Sequence, residues 1–145
     1  MTVVVVGGGP AGMMAAAEAA RGGCRVVLLE RNEKLGKKLY LTGKGRCNVT
    51  NACGREAFFD AVARNPRFLY SAFAAFDNRD MMALLERLGV PLKVERGGRV
   101  FPVSDKSSDV LRAMERYVRE SGVDVRLHTR VVGLETADGA VRAVR

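Results

Sequence analysis

Three glycines and one carboxylate carry the first readable chemistry of this chain. Gly7, Gly9 and Gly12 follow a run of four valines, and Glu30 closes a second apolar run, VVLL. The glycines fall at G-x-G-x-x-G spacing. At such a turn the first glycine makes the tight exit from a strand, the second admits the backbone to a pyrophosphate, and the third lets a helix pack closely. Glu30 follows after about 20 residues, where a carboxylate accepts hydrogen bonds from an adenosine ribose and repels a 2′-phosphate. These residues point to a dinucleotide other than NADP and leave both FAD and NAD open.

The flanking text supplies the elements that must position them. Residues 3–6 are short, β-branched and apolar, as a buried parallel strand requires. Pro10 suits the first helical position, where its missing N–H is harmless. Ala11, Ala15 and Ala19 recur every four residues, with Gly12, Ala16 and Ala20 one step on, so the helix has a face almost without bulk that can lie on a sheet. Gly22 and Gly23 end it, and residues 25–30 read as the next strand. A glycine-rich turn that binds nothing shares the composition but not this order of strand, glycines, helix, strand and acid.

With 145 residues and 48% hydrophobic content the chain can bury one core of ordinary domain size. No run reaches the length of a membrane-spanning helix, and the N-terminus lacks a basic leader, so no membrane role and a cytoplasmic location are expected. The three cysteines, Cys24, Cys47 and Cys53, are odd in number and match no zinc spacing, which fits a reducing compartment and implies no metal site. His128, the single histidine, lies in alternating text and reads as a strand residue. A formal charge of +8 raises nucleic acid as a partner, but the basic residues are scattered and no Trp stands among them, which argues against it. The charge is locally dense at Arg31, Lys34, Lys37, Lys38, Lys44 and Arg46, where phosphates or an acidic substrate can be held.

Residues 31–54 read as a polar, glycine-punctuated loop. Helical spacing follows at Phe58, Phe59 and Val62 and at Phe68, Leu69, Phe73 and Phe76, divided by Pro66. Asp77 caps a further helix with Asp80 in its first turn, and Gly89 closes it. Residues 91–95 and 99–103 read as a hairpin about Gly97-Gly98. Ser107 or Ser108 starts a helix through Leu111, Met114 and Val118 to Gly122. Strand text returns at 123–128, then at 131–137, turning at Asp138-Gly139 into 140–144. The layout is an α/β, three-layer, Rossmann-like FAD/NAD(P)-binding fold that is incomplete at the C-terminus, so residues 1–145 are expected to be the N-terminal portion of such a domain, with the substrate-side domain outside it.

The second informative stretch is residues 37–51, KKLYLTGKGRCNVTN. Its glycines, small polar side chains and cations make a backbone-rich surface suited to a phosphorylated cofactor, although an ordinary flexible loop has the same composition. Together with residues 6–12 (VGGGPAG) and 98–106 (GRVFPVSDK), the block at 42–51 resembles the bacterial BaiN/YhiN-type FAD-dependent oxidoreductases, the aminoacetone-oxidase-like flavoproteins. That resemblance covers essentially the whole chain, and its members are much longer. It implies an FAD-binding flavoprotein enzyme that transfers hydride through the flavin, with NADH or NADPH as possible electron donor, a small-molecule substrate, and the C-terminal part of the same protein as partner. It implies FAD contacts from Gly7, Gly9, Ala11 and Gly12 at the pyrophosphate and from Glu30 and Arg31 around the adenosine ribose. Lys38, Thr42, Gly45, Arg46 and Asn48 would line the flavin side, and the Val131 backbone would meet the adenine. No acid or base is implied. Lys106 and Arg99 either face an anionic substrate or belong to a solvated hairpin.

Two other functions compete. Cys47 and Cys53 stand near the distance from the nucleotide unit at which flavin disulfide reductases keep a redox pair, but five residues separate them where the familiar spacing has four. The unfinished sheet also fits a nucleotide-binding fragment with no catalytic activity of its own, since its last strand would leave an unpaired edge.

Overall fold

The computed structural model describes residues Met1–Arg145. The chain runs β1 (Thr2–Val6), α1 (Pro10–Arg21), β2 (Arg25–Leu29), α2 (Lys37–Leu41), a 3-10 segment (Thr42–Gly45), β3 (Thr50–Asn51), α3 (Arg55–Asp60) and a second 3-10 segment (Pro66–Leu69). It continues through α4 (Tyr70–Ala75), α5 (Asn78–Arg87), β4 (Leu92–Glu95), β5 (Arg99–Pro102), α6 (Ser107–Glu120), β6 (Asp124–Arg126), β7 (Leu134–Ala137) and β8 (Ala140–Val144). These elements form two compact units, one of Met1–Tyr40 with Met114–Arg145 and one of Leu41–Ala113.

The first unit is built on a parallel sheet of order β1-β2-β6, in register from Thr2 opposite Arg25 to Val6 opposite Leu29. Parallel strands need a crossover, and α1 supplies the one between β1 and β2. Of the two small-residue stripes expected on α1, the one containing Ala16 turns inward together with Met13 and Ala17, all fully buried, while Ala11 and Ala15 stay exposed. Val26 and Leu28 of β2 are buried too. Burying a side chain of this size stabilises a fold by about 1.5–3 kcal/mol. The end of α6 is joined to α1 by the Tyr117 hydroxyl, which donates to the Glu18 carboxylate, and by Arg21 over the Tyr117 ring. The β7–β8 hairpin turns at Asp138-Gly139, whose φ angles of 54° and 72° are the left-handed pair that a tight hairpin needs.

The second unit carries an antiparallel sheet of order β3-β5-β4. The expected hairpin is present as β4 and β5, and Asp77 caps α5 with a reciprocal Asp80 bond, as its spacing predicts. Phe58, Phe59, Tyr70 and Phe73 pack as one aromatic cluster, with ring centroids 4.3–5.4 Å apart.

Two local expectations are corrected. Residues 31–54 are not a continuous loop: they hold α2, a 3-10 segment and β3, and β3 is held in place by pairing with β5, a long-range contact that local composition does not encode. His128 is not in a strand. β6 stops at Arg126, and His128 takes a left-handed φ of 52° in the bend beyond it, its N–H donating to the Asn32 carbonyl at 3.1 Å.

Candidate functional site

The chain leaves β1 at Gly7, whose φ of 101° belongs to the region that glycine occupies without penalty. Its N–H donates to the Leu29 carbonyl at 2.8 Å, closing the turn onto β2. A Cβ on Gly12 would stand 1.9 Å from the Gly7 carbonyl oxygen, so the third motif glycine is needed to let the helix start this close to the turn. Gly8, which the motif leaves unspecified, is constrained as well: a Cβ there would meet the Leu35 side chain at 2.3 Å and the Glu30 Cβ at 3.1 Å. Gly9 differs from both. Nothing lies within 4 Å of its added Cβ, so no protein contact requires a glycine there.

Gly9 is also the N-cap of α1, with no side-chain cap and no acid in the first helical turn, and the first backbone bond of the helix runs from the Met13 N–H to the Gly9 carbonyl at 2.9 Å. The first N–H groups of a helix have no intrahelical partner and the macrodipole is positive there, so this end is arranged for an anion.

Glu30 lies just past β2 and is 7% exposed. Its Oε2 accepts from the Gly8 N–H at 2.7 Å, and its Oε1 accepts from the Asn32 N–H at 2.8 Å and the Asn32 side-chain amide at 2.6 Å. Burial pushes the carboxyl pKa up, but the bonds from the Asn32 N–H, the Gly8 N–H and the Asn32 amide, with the Arg31 charge, outweigh it and hold the pKa below the usual glutamate value. A carboxylate offers about four acceptor positions, so the ionised group can still receive a ligand hydroxyl.

These groups share one cleft of about 490 Å³, lined by Gly7, Gly8, Gly9, Glu30, Arg31, Asn32, Lys38, Arg130 and Val131, among others. That volume falls within the range of small-ligand clefts. Lys37, also in the lining, pairs with Glu33 at 3.2 Å, whereas Lys34 lies 5.1 Å over the Tyr40 ring. The structure therefore brings Gly7, Gly9, Glu30, Arg31, Lys38 and Val131 together, with Ala11 and Gly12 in the first turn of α1.

Thr42, Gly45, Arg46 and Asn48 lie in the second unit. Gly43, Lys44, Gly45 and Cys47 all take left-handed φ angles, between 57° and 84°. Arg46 is half-buried and heavily paired: its Nε and one terminal nitrogen donate to Asp105 at 2.8 and 2.6 Å, its two terminal nitrogens donate to Glu95, and its guanidinium lies 4.2 Å over the Phe101 ring. Lys93 completes the cluster by donating to Asp105 at 2.7 Å. Glu95 is held below the usual carboxylate range first by Arg46, and Asp105 first by Lys93 and then by Arg46. Asn48, with its amide oriented to satisfy its surroundings, donates to the Thr50 and Val100 carbonyls at 3.1 and 3.3 Å.

Arg99 donates to the Arg96 carbonyl at 3.1 Å and lies 5.8 Å from the Phe101 ring centroid, the arrangement of a hairpin residue. The three cysteines are unpaired, and Cys47 is fully buried. Burial pushes its thiol pKa up, opposed in part by a hydrogen bond with Thr42, which is the reverse of the activated thiolate of a redox pair. No group of His, Cys, Asp and Glu is placed to hold a metal ion.

Gly8, Asn32 and Arg130 join the site without having been expected there. Gly8 occupies an unspecified motif position, and Asn32 and Arg130 reach the cleft through bends that only the folded chain defines. Asn32 did carry one signal, an amide two residues beyond a carboxylate, where such side chains bond local partners.

Residues 1–145 match the family model of the HI0933-like protein Rossmann domain. The 3-dehydro-bile acid delta(4,6)-reductase of Clostridium scindens is 34% identical over 133 residues, which cover 90% of this chain and 32% of that protein. The ribosomal RNA dihydrouridine synthase of Escherichia coli is 29% identical over 131 residues, covering 90% of this chain and 32% of that protein. The chain thus spans about a third of the length of these relatives. A flavocytochrome c3 fumarate reductase in its open conformation is similar in structure, with a TM-score of 0.57 and 26% identity over 94% of this chain and 28% of that one. Strand, glycine turn, helix and acid stand in the Rossmann arrangement along a chain matched from end to end, and the chain belongs to the HI0933-like family as its Rossmann domain.

Proposed function

We propose that the cleft beside the glycine turn holds the adenosine diphosphate half of FAD, and that the chain is the N-terminal FAD-binding portion of an oxidoreductase. The observation that carries this is the uncapped, acid-free start of α1 sharing one cleft with the ionised Glu30. Gly7, Gly9, Ala11 and Gly12 bring backbone to the pyrophosphate, and Arg31, Lys38 and Arg130 supply positive charge in the same lining. Glu30 accepts from the ribose, and Val131 brings backbone to the adenine. The flavin side is assigned to Lys38, Thr42, Gly45, Arg46 and Asn48 by the resemblance of residues 42–51 alone.

The flavin, when bound, supplies hydride chemistry, and the protein supplies position and electrostatics. NADH or NADPH serves as electron donor. The two relatives are a bile acid reductase and a ribosomal RNA dihydrouridine synthase, so one Rossmann domain of this family serves more than one substrate class. The three free thiols support a cytoplasmic setting, and no helix is long and apolar enough to cross a membrane. The burial of Cys47 counts against a disulfide reductase.

The test is the visible absorption spectrum of the purified full chain after FAD is added and the unbound excess removed. Oxidised-flavin bands retained near one per chain are expected. A colourless protein whose circular dichroism shows it folded would overturn the assignment.

A further inference from the structure

We infer that Arg46 is a positioning residue for the cofactor loop and not itself a contact of the cofactor. Ion-paired with Glu95 and Asp105 and stacked on Phe101, it holds residues 42–48 in the conformation that presents Thr42, Gly45 and Asn48. This rests on the flavin assignment above.

Four of the five N–H groups of Arg46 are engaged, and the one left open is on the nitrogen whose bond to Glu95 is 3.4 Å long. Each of its three guanidinium nitrogens donates to Glu95, Asp105 or both, a forked arrangement that a planar guanidinium makes and an ammonium cannot. A two-pronged contact with a phosphate, the kind a guanidinium makes best, would have to displace a carboxylate that is itself held in the cluster, Asp105 by Lys93 at 2.7 Å and Glu95 by Lys93 at 3.6 Å.

The loop also needs holding. Lys44 and Cys47 carry side chains at φ angles of 57° and 60°, a conformation that costs roughly 1–2 kcal/mol per non-glycine residue. Arg46 sits between them with an ordinary φ of −93°. Around it the loop is moored to β5. A Cβ on Gly43 would stand 3.2 Å from the Phe101 ring, and the Val49 N–H donates to the Val100 carbonyl at 2.8 Å. The Arg46 cluster is the side-chain part of that mooring, and it acts on the residues just before and after it.

Charge logic separates positioning from contact. An arginine that touches the cofactor is released when its carboxylates are neutralised, so FAD binding holds or tightens. An arginine that positions the loop loses its anchor, so FAD binding weakens. The experiment measures FAD affinity, the visible absorption and circular dichroism of bound flavin, and the thermal midpoint. It uses the full chain and its Glu95→Gln/Asp105→Asn, Arg46→Met, Arg46→Lys and combined Arg46→Met/Glu95→Gln/Asp105→Asn variants.

The expected result is about a tenfold weakening in both the double carboxylate variant and Arg46→Met, with no further loss when they are combined. Arg46→Lys should fail to restore binding, and the bound-flavin spectrum should move in the same sense in each variant. Unchanged or tighter binding in Glu95→Gln/Asp105→Asn would overturn the inference, as would a lower thermal midpoint with flavin affinity and spectrum unmoved. If Arg46→Met does not fold, the carboxylate variant and Arg46→Lys decide the question. Failure of the FAD assignment itself would be visible in the unsubstituted chain, before any variant is made.

Discussion

The Gly8 N–H donates to the Glu30 carboxylate at 2.7 Å, and this bond ties the glycine turn to the end of β2. The glycine turn and the end of β2 are therefore joined through a buried carboxylate as well as through the backbone bond from Gly7 to Leu29.

A pH dependence follows from that bond. The folded-state pKa of Glu30 lies below its ordinary value of 4.5. A depressed carboxylate pKa adds stability that is fully present above the unfolded value and is lost as the pH falls through the folded one. Thermal midpoints measured from pH 7 down past pH 4.5 should fall less steeply on acidification for Glu30→Gln than for the unsubstituted chain. Parallel curves would mean that Glu30 is not held ionised by Gly8 and Asn32.

Gly12 and Gly7 make a second prediction. In Gly12→Ala the new methyl group would stand 1.9 Å from a backbone oxygen, which cannot swing aside as a side chain does. The substitution should destabilise the chain by about 1–3 kcal/mol or more, read from chemical denaturation. A loss under about 0.5 kcal/mol would show that the turn and helix are not this close.

The cysteines should react in a definite order. Cys24 and Cys53 are partly exposed, whereas Cys47 is fully buried with its thiol pKa raised. Alkylation of the native protein followed by peptide mass spectrometry should therefore label Cys24 and Cys53 well before Cys47. Fast labelling of Cys47, or an oxidised Cys47–Cys53 pair, would revive the disulfide-reductase alternative.

What was readable in the sequence was whatever is fixed locally. Gly7, Gly12 and Pro10 mark a strand-turn-helix through φ requirements and steric exclusion, Asp77 and Asp80 mark a capping box, and Asp138-Gly139 marks a hairpin turn. Contacts between distant segments were not readable. Thr50 and Asn51 become a strand only because Val100 and Arg99 lie opposite them. Arg46 reads as a free cation among cations until Glu95 and Asp105, about fifty and sixty residues away, are seen to pair with it. Gly8 was hidden for another reason: its constraint comes from Leu35 and Glu30, which no motif spacing encodes.

Gly9 offers the most direct measurement, because the space beside it touches no protein atom within 4 Å. If that space belongs to the cofactor pyrophosphate, Gly9→Ala should leave the thermal midpoint within about 2 °C of the unsubstituted chain while weakening FAD binding by about tenfold or more. Equal FAD affinity in the two proteins, measured side by side by equilibrium titration, would contradict the assignment of this cleft to the cofactor.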